Sequence, residues 1–578
     1  MNAAVAADVD TLIVGAGPAG LQLGHLLAGA GRDYVILEAG PRAGGFFERF
    51  PRHGTLLSLN KRHNYFGEPE YNLRHDWNSL LCDEPGLRFG DFSAELYPRA
   101  GDLATYLRTF AARTRLRIHF GTRVVRIGRA ASGFRVTTAA GRDYSCRRVV
   151  LATGAVAPWV PAEIDGIKWA AGYEDHPLDP AGYRGARVAI LGAGNSAFEV
   201  ANHLAGHAAL IHLMTRRPVR HAWNTHFPGD LRAINNTILD MYQLKSLHAT
   251  VGFRPVSITP KPGGGFTVVA EEDYPHWTTP GTGRVTLTYD HVIRCTGWRY
   301  VDPDLFEPDC LPRLKGHGKF AELDGHWQTS VPGLFVIGTA MQARDRTAAS
   351  SFIHGFRYNI RTLFRLLEER DHGVPLPGRS FGLGTEAELD RLAAWLITRV
   401  STTSALYQQF GLLGDALLFR DGRVRVLEEL PVELALGRRE AAACADVLLV
   451  TLEYGFGNYD PALDTLEFVH PADPARPECS AYLHPVLRWY HEGTLAERLD
   501  LTESLVVRYD VYDYEENFPR AHHNRVANLL NRISRSTTRV LPERQYSPGT
   551  ETTAFRPWPA PARDGGRPAP RARCHYAN

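Results

Sequence analysis

The sequence predicts an α/β protein: two Rossmann-like dinucleotide-binding domains, one inserted into the other, followed by an α+β C-terminal domain. Two glycine-rich fingerprints carry that prediction, Gly15-Ala-Gly17-Pro18-Ala19-Gly20 and Gly192-Ala-Gly194-Asn195-Ser196-Ala197. Each follows a short apolar strand, over 11–14 or 188–191, and each opens a helical pattern, over 21–27 or 198–204. The first glycine permits the tight turn and the second lets backbone approach a pyrophosphate. The third position keeps helix against strand, and the helix N-terminus faces the negative charge. One such motif alone is a weak signal. Two, each in strand–turn–helix context, point to two bound dinucleotides and therefore to redox chemistry.

In chain order, the first fingerprint is followed by a strand over 34–37 that ends in Glu38, a carboxylate placed to bond ribose hydroxyls. The adenosine of FAD carries no 2′-phosphate and tolerates that charge. A second apolar strand, over 147–152, runs into Ala152-Thr153-Gly154 and returns the chain to the cofactor edge. After the second fingerprint the strand 209–214 ends in Thr215-Arg216-Arg217, with no acid. Two guanidiniums there suit the 2′-phosphate of NADPH, because arginine binds phosphate bidentately. The strand 290–295 leads into Thr296-Gly297 on the way back. The strand 331–338 ends at Gly338, where backbone would lie near the flavin ribityl chain, and a helix over 351–369 points its N-terminus at the pyrimidine. The expected domains are an FAD part at 1–182 and 290–375 interrupted by an NADPH domain at 183–289. An α+β domain at 376–546 and a Pro-, Arg- and Gly-rich flexible tail at 547–578 complete the chain.

At 578 residues the chain exceeds one core. A net charge of +2 and 44% hydrophobic residues give no general attraction to nucleic acid or membrane. No apolar run approaches the roughly 20 residues of a membrane span, and no secretory signal opens the sequence. The seven cysteines include no C-x-x-C pair and no zinc-ligand spacing, so no metal site is expected. A reducing cytoplasm fits, and the thiol relay of a disulfide reductase lacks its residues. His522-His523 has no acid or histidine at helical ligand spacing and reads as surface or packing.

Beyond Glu38 lie Gly44-Gly45-Phe46-Phe47 and Ser58-Leu-Asn60-Lys61. This arrangement resembles the class B flavin monooxygenases. The resemblance implies that the Gly44-Gly45-Phe46 loop covers the isoalloxazine, and that Asn60, with Lys61 beside it, holds the flavin oxygen adduct and the NADP carboxamide. The G-x-x-x-H spacing of that family's linker survives in Gly172-Tyr-Glu-Asp-His176, with Ala170 where an aromatic is usual. The strings Asn72-Leu-Arg-His-Asp-Trp-Asn-Ser-Leu80, Gly194-Asn-Ser-Ala-Phe-Glu199, Tyr242-Gln-Leu-Lys-Ser246 and Ser351-Phe-Ile-His-Gly-Phe-Arg-Tyr358 look like the FAD-dependent-oxidoreductase-domain group. That group's bacterial members include amino-acid N-oxygenases that form nitroso or nitro products from aspartate.

Around the expected flavin face cluster Arg49, Arg52, His53, Lys61, Arg62, His63, Arg74 and His75, with Arg344 and Arg346 in a later loop. Such cations suit an anionic amino acid, with Arg62, His63, Arg344 and Arg346 as candidate substrate ligands. The leading expectation is therefore an FAD- and NADPH-dependent monooxygenase of a small amino acid and O2, acting through a C4a-hydroperoxyflavin, with the C-terminal domain covering the site or forming a homodimer contact. A flavin reductase or oxidase and a flavin-bound interaction protein remain open alternatives.

Overall fold

The computed structural model describes residues 7–64, 66–216, 219–237, 239, 241, 247–272, 283–345, 349–455, 477–480, 482–504, 506–511 and 518–537. Arg217, Arg346, the whole string 242–246 and the expected tail at 547–578 lie outside the described residues. The chain forms two compact units, 1–64 with 75–364 and 65–74 with 365–578.

The first unit holds both nucleotide folds. In its seven-stranded sheet Ala7–Val14 lies between Tyr34–Leu37 and Asp143–Leu151, all parallel, and Leu334–Val336 joins Asp143–Leu151. The strands Val124–Ala130 and Gly133–Thr138 extend it as an antiparallel flap. The central strands are apolar because helix Pro18–Gly29 and the flap cover their faces. Leu12, Ile13, Ile36 and Val149 are fully buried. A second, all-parallel five-stranded sheet runs Ala249–Val251, Leu210–Met214, Arg187–Leu191, His291–Arg294, Ala171–Gly172. Its edge strand Ala171–Gly172 comes from before position 183, where the sequence placed the start of this domain. A three-stranded antiparallel sheet, Phe253–Pro260, Phe266–Glu272 and Arg284–Tyr289, packs Ile258, Val268 and Tyr289 against Met214 and Val292.

The second unit is α+β. Its six-stranded antiparallel sheet runs Gly378–Gly382, Arg423–Pro431, Leu413–Arg420, Asp446–Tyr454, Leu483–His491, Thr494–Asp500. Helix Glu386–Thr402 starts at a capping box in which the Thr385 hydroxyl accepts from the Glu388 amide while the Glu388 carboxylate accepts from the Thr385 amide. It buries Leu389, Leu392, Leu396 and Val400, a stripe at helical spacing. Arg399 binds the fully buried Asp415 at 2.7 Å, with Glu429 at 3.4 Å.

The unit boundary falls at 364/365, inside helix Ile353–His372, because Arg365 already pairs with Glu429 at 2.9 Å. The segment 65–74 belongs to this unit for a similar reason. Arg74 donates to the carbonyls of Thr403, Val507 and Val400 at 2.8–3.0 Å and lies against the Tyr71 and Tyr407 rings. Arg508 bonds both carboxylate oxygens of Glu68 at 3.1 Å. Arg74 is thus a structural cation, not one of the flavin-face charges.

Candidate flavin and pyridine-nucleotide site

Both fingerprints are built alike. Gly15 donates to the Leu37 carbonyl at 2.8 Å and Gly192 to the Met214 carbonyl at 2.9 Å. Each glycine therefore lies beside the end of its neighbouring strand, where Glu38 and Thr215-Arg216 sit. Gly15 has φ +107° and Gly192 φ +125°, and a Cβ would lie 2.8 Å from the Ala152 oxygen and 2.4 Å from the Cys295 oxygen respectively. No other residue fits either turn. Beyond them Gly17 and Gly194 precede helices Pro18–Gly29 and Asn195–Leu204, and neither helix has a side-chain cap on its first amides. A Cβ on Gly17 would meet nothing within 4 Å. Uncapped amides fit a dinucleotide pyrophosphate at both loops, with the glycine face open at Gly17 and a Cβ on Gly194 lying 3.2 Å from the Gly229 oxygen.

Glu38 does more than the sequence implied. One carboxylate oxygen accepts from Ala16 and the other from Gly40, both at 2.7 Å, so it ties the fingerprint to the next loop. Gly44 is buried and accepts from Phe47 at 3.0 Å, Gly45 opens a short turn, and Phe46 is 42% exposed. Ala152 donates to Val14 at 2.9 Å, which sets Thr153 and Gly154 beside the first fingerprint. Gly338 packs so closely on Ala19 that a Cβ would lie 2.8 Å away. In the second lobe a small recess is lined by Tyr173, Ser196, Thr296, Gly297 and Trp298. Arg216 is exposed at its strand end.

Asn60 is 5% exposed, and its amide nitrogen donates to the carbonyls of Ser93 at 2.9 Å and Glu95 at 3.2 Å. Lys61, Arg62 and His63 are exposed. Arg344 lies 5.0 Å over the Trp327 ring. A run of contacts invisible in the sequence links Asn60 to the second fingerprint. Asn60 pairs with Asp76, and the next residue, Trp77, stacks on His354 at 4.4 Å. His354 stacks on Phe352 at 5.4 Å, the Arg232 guanidinium lies 4.8 Å over Phe352, and the Arg232 amide donates to the Asn195 side chain at 2.9 Å. Burial and the charges of Arg357 and Arg232 hold the His354 ring well below its ordinary range, so it is neutral. Burial also lowers Arg232 itself to about 10. Among the described residues no group of His, Cys, Asp or Glu could hold a metal, and no helix is long and apolar enough to cross a membrane.

This fold and these two loops define a two-dinucleotide flavoprotein oxidoreductase. Residues 12–338 match the profile of the family described as pyridine nucleotide-disulphide oxidoreductase, and the chain belongs to that family. It is 34% identical to the FAD-dependent oxidoreductase domain-containing protein 2 of Danio rerio, over 92% of this chain and 82% of that one. The Mus musculus protein of the same name is also 34% identical, over 93% and 83%. The Arabidopsis thaliana protein named probable indole-3-pyruvate monooxygenase YUCCA9 is 30% identical over 36% of this chain and 47% of its own length. The protein is an enzyme, a flavin-dependent oxidoreductase that uses FAD and a pyridine nucleotide.

Proposed function

We propose that this protein is an FAD- and NADPH-dependent monooxygenase that oxygenates the amine of a small anionic amino acid of aspartate type, leading to nitroso or nitro products. The observation that carries the monooxygenase reading is the state of its thiols. A reductase that relays electrons to a disulfide needs a thiol pair with ready access to the thiolate. Here the sequence has no C-x-x-C, and burial pushes Cys146 up to about 12, Cys310 up to about 11, and Cys295 and Cys444 upward as well. A two-dinucleotide core without a thiol relay is suited to passing the electrons of the reduced flavin directly to O2. The similarity to a protein named as a monooxygenase over 36% of this chain supports the same reading.

Bound FAD supplies the oxygen activation, and the pyridine nucleotide supplies two electrons. One oxygen atom of O2 goes to the substrate nitrogen and the other leaves as water. The chain's own residues bind, orient and exclude water. Glu38 would hold the FAD ribose, and Arg216 with Arg217 would hold the 2′-phosphate of NADPH. Asn60, its amide nitrogen fixed by two carbonyls, would offer its side-chain oxygen to the nicotinamide carboxamide, with Lys61 adjoining. Arg62, His63, Arg344 and Arg346 receive the substrate carboxylates through charge-assisted bonds. The stacked rings of Trp77, His354 and Phe352 would exclude water on the Asn60 side of the site. The attacking amine must be neutral, so turnover rises with pH as the substrate amine deprotonates.

The test is a panel of amino acids and simple amines, with NADPH and O2 consumption followed together. Aspartate or a close anionic analogue should stimulate NADPH use and yield an N-oxygenated product. Peroxide formation at the same rate with every compound would refute the proposal.

A further inference from the structure

Within the first unit the flavin loop meets the pyridine-nucleotide lobe at a buried polar node beside the recess that Tyr173 helps to line. The loop after Gly44-Gly45 carries Phe50, Arg52 and His53. Phe50 is built into the core of the pyridine-nucleotide lobe, with Phe198 and Ile293, and stacks on Tyr173 at 5.9 Å. Tyr173 follows the edge strand Ala171–Gly172 of the second sheet. Its hydroxyl accepts from the Arg52 amide at 3.0 Å and donates to the Glu199 carboxylate at 2.7 Å. The other Glu199 oxygen accepts from the His53 amide at 2.8 Å. Glu199 stands on helix Asn195–Leu204, the helix that begins at the second fingerprint. His53 stacks on His203 of that same helix at 4.0 Å, and the Arg52 guanidinium donates to the His176 carbonyl at 2.9 Å.

Two backbone amides of the flavin loop are thus held by side chains of the pyridine-nucleotide lobe, and Tyr173 joins both halves. Burial with the neighbouring His203, His176 and Arg52 pushes the His53 ring down to about 3, so the His53 ring is neutral and its backbone amide is what Glu199 holds. Burial raises the Tyr173 hydroxyl, which stays a donor.

We infer that Tyr173 is a positioning residue: its hydroxyl, bridging the Arg52 amide and Glu199, locks the pyridine-nucleotide lobe onto the flavin loop in the orientation that brings the nicotinamide to the flavin. Hydride transfer is steep in distance, and a misplacement of about 1 Å costs roughly 100-fold. Tyr173→Phe keeps the ring stacked on Phe50 and edge-to-face with Trp298 and removes both hydrogen bonds.

The experiment uses the FAD-loaded protein. Anaerobic stopped-flow separates the limiting rate of flavin reduction from the Kd of the pyridine nucleotide, and hydrogen exchange follows the 50–55 segment. In Y173F the limiting rate should fall at least tenfold with Kd changed less than threefold. Exchange at the Arg52 amide should quicken about tenfold while that of strand Arg187–Leu191 stays unchanged. A role in stability alone would lower Tm and FAD content and leave the limiting rate intact. A folded, FAD-containing Y173F that is reduced at the parent rate overturns the inference. Glu199→Leu, which keeps the Tyr173 hydroxyl and its bond to Arg52 but removes the acceptor on the helix, carries the same test if Y173F does not retain FAD. There too, an unchanged limiting rate refutes the positioning role.

Discussion

Replacing Gly192 by alanine perturbs the second nucleotide loop alone. The added Cβ would lie 2.4 Å from the Cys295 oxygen, against an ordinary C···O separation of about 3.3 Å, so the loop must give by about 0.9 Å. Overpacking of that size costs about 1–3 kcal/mol, and a non-glycine residue at φ +125° about 1–3 kcal/mol more. A total near 3 kcal/mol, relieved by moving the loop away from the pyrophosphate, corresponds to roughly a 100-fold rise in the Kd of NADPH. The first fingerprint lies on a different sheet, so FAD content should stay at the parent level. Anaerobic titration of flavin reduction gives Kd, flavin absorbance gives FAD content, and a thermal scan gives Tm. An unchanged Kd with an unchanged Tm would refute the steric argument, and loss of FAD with NADPH affinity retained would refute the assignment of the two loops.

Replacing Arg216 and Arg217 together by alanine should raise the Kd of NADPH roughly 10- to 100-fold, the worth of charge-assisted bonds at about 1.5–3 kcal/mol, and leave NADH unaffected; parallel titrations with both nucleotides check it, and equal losses contradict the 2′-phosphate role. Asn60→Ala removes the donors to the Ser93 and Glu95 carbonyls and should cost about 1–3 kcal/mol of stability, read as a lower Tm, and divert NADPH electrons from product to peroxide. His522 is 3% exposed and burial pushes its ring down to about 4, below the unfolded value of 6.5. The unfolded chain therefore takes up the proton first. The contribution is fully present above pH 6.5 and is lost as pH falls toward 4, so the urea midpoint should fall between pH 7.5 and 5, less steeply in His522→Asn.

The nucleotide folds were legible because their signals are local. A tight turn that only glycine enters, flanked by an apolar strand and a helix, can be read within about ten residues, and Tyr34–Leu37 and Leu210–Met214 lie where those patterns place them. The C-terminal helix Glu386–Thr402 was legible from its apolar stripe. The antiparallel sheet of Phe253–Pro260, Phe266–Glu272 and Arg284–Tyr289 was not, since its strands are half-buried and rich in Thr, Arg and Glu. Arg74 looked like one more flavin-side cation. Three carbonyls more than 300 positions away decide otherwise, and no local pattern encodes them. Arg232, Trp77 and His354 escaped for the same reason: each acts through a partner far away in sequence. Tyr173 had one clue, its place inside the G-x-x-x-H linker, which draws the eye to His176 instead. The cysteine count, by contrast, spoke directly to chemistry.

The most direct test of the central claim is the origin of the oxygen in the product. With FAD-loaded protein, NADPH, aspartate and 18O2, the N-oxygenated product should carry 18O, with NADPH consumption rising as aspartate is added. Product without label, or NADPH consumption that yields only labelled peroxide whatever amino acid is present, would contradict a monooxygenase and leave a flavin oxidase.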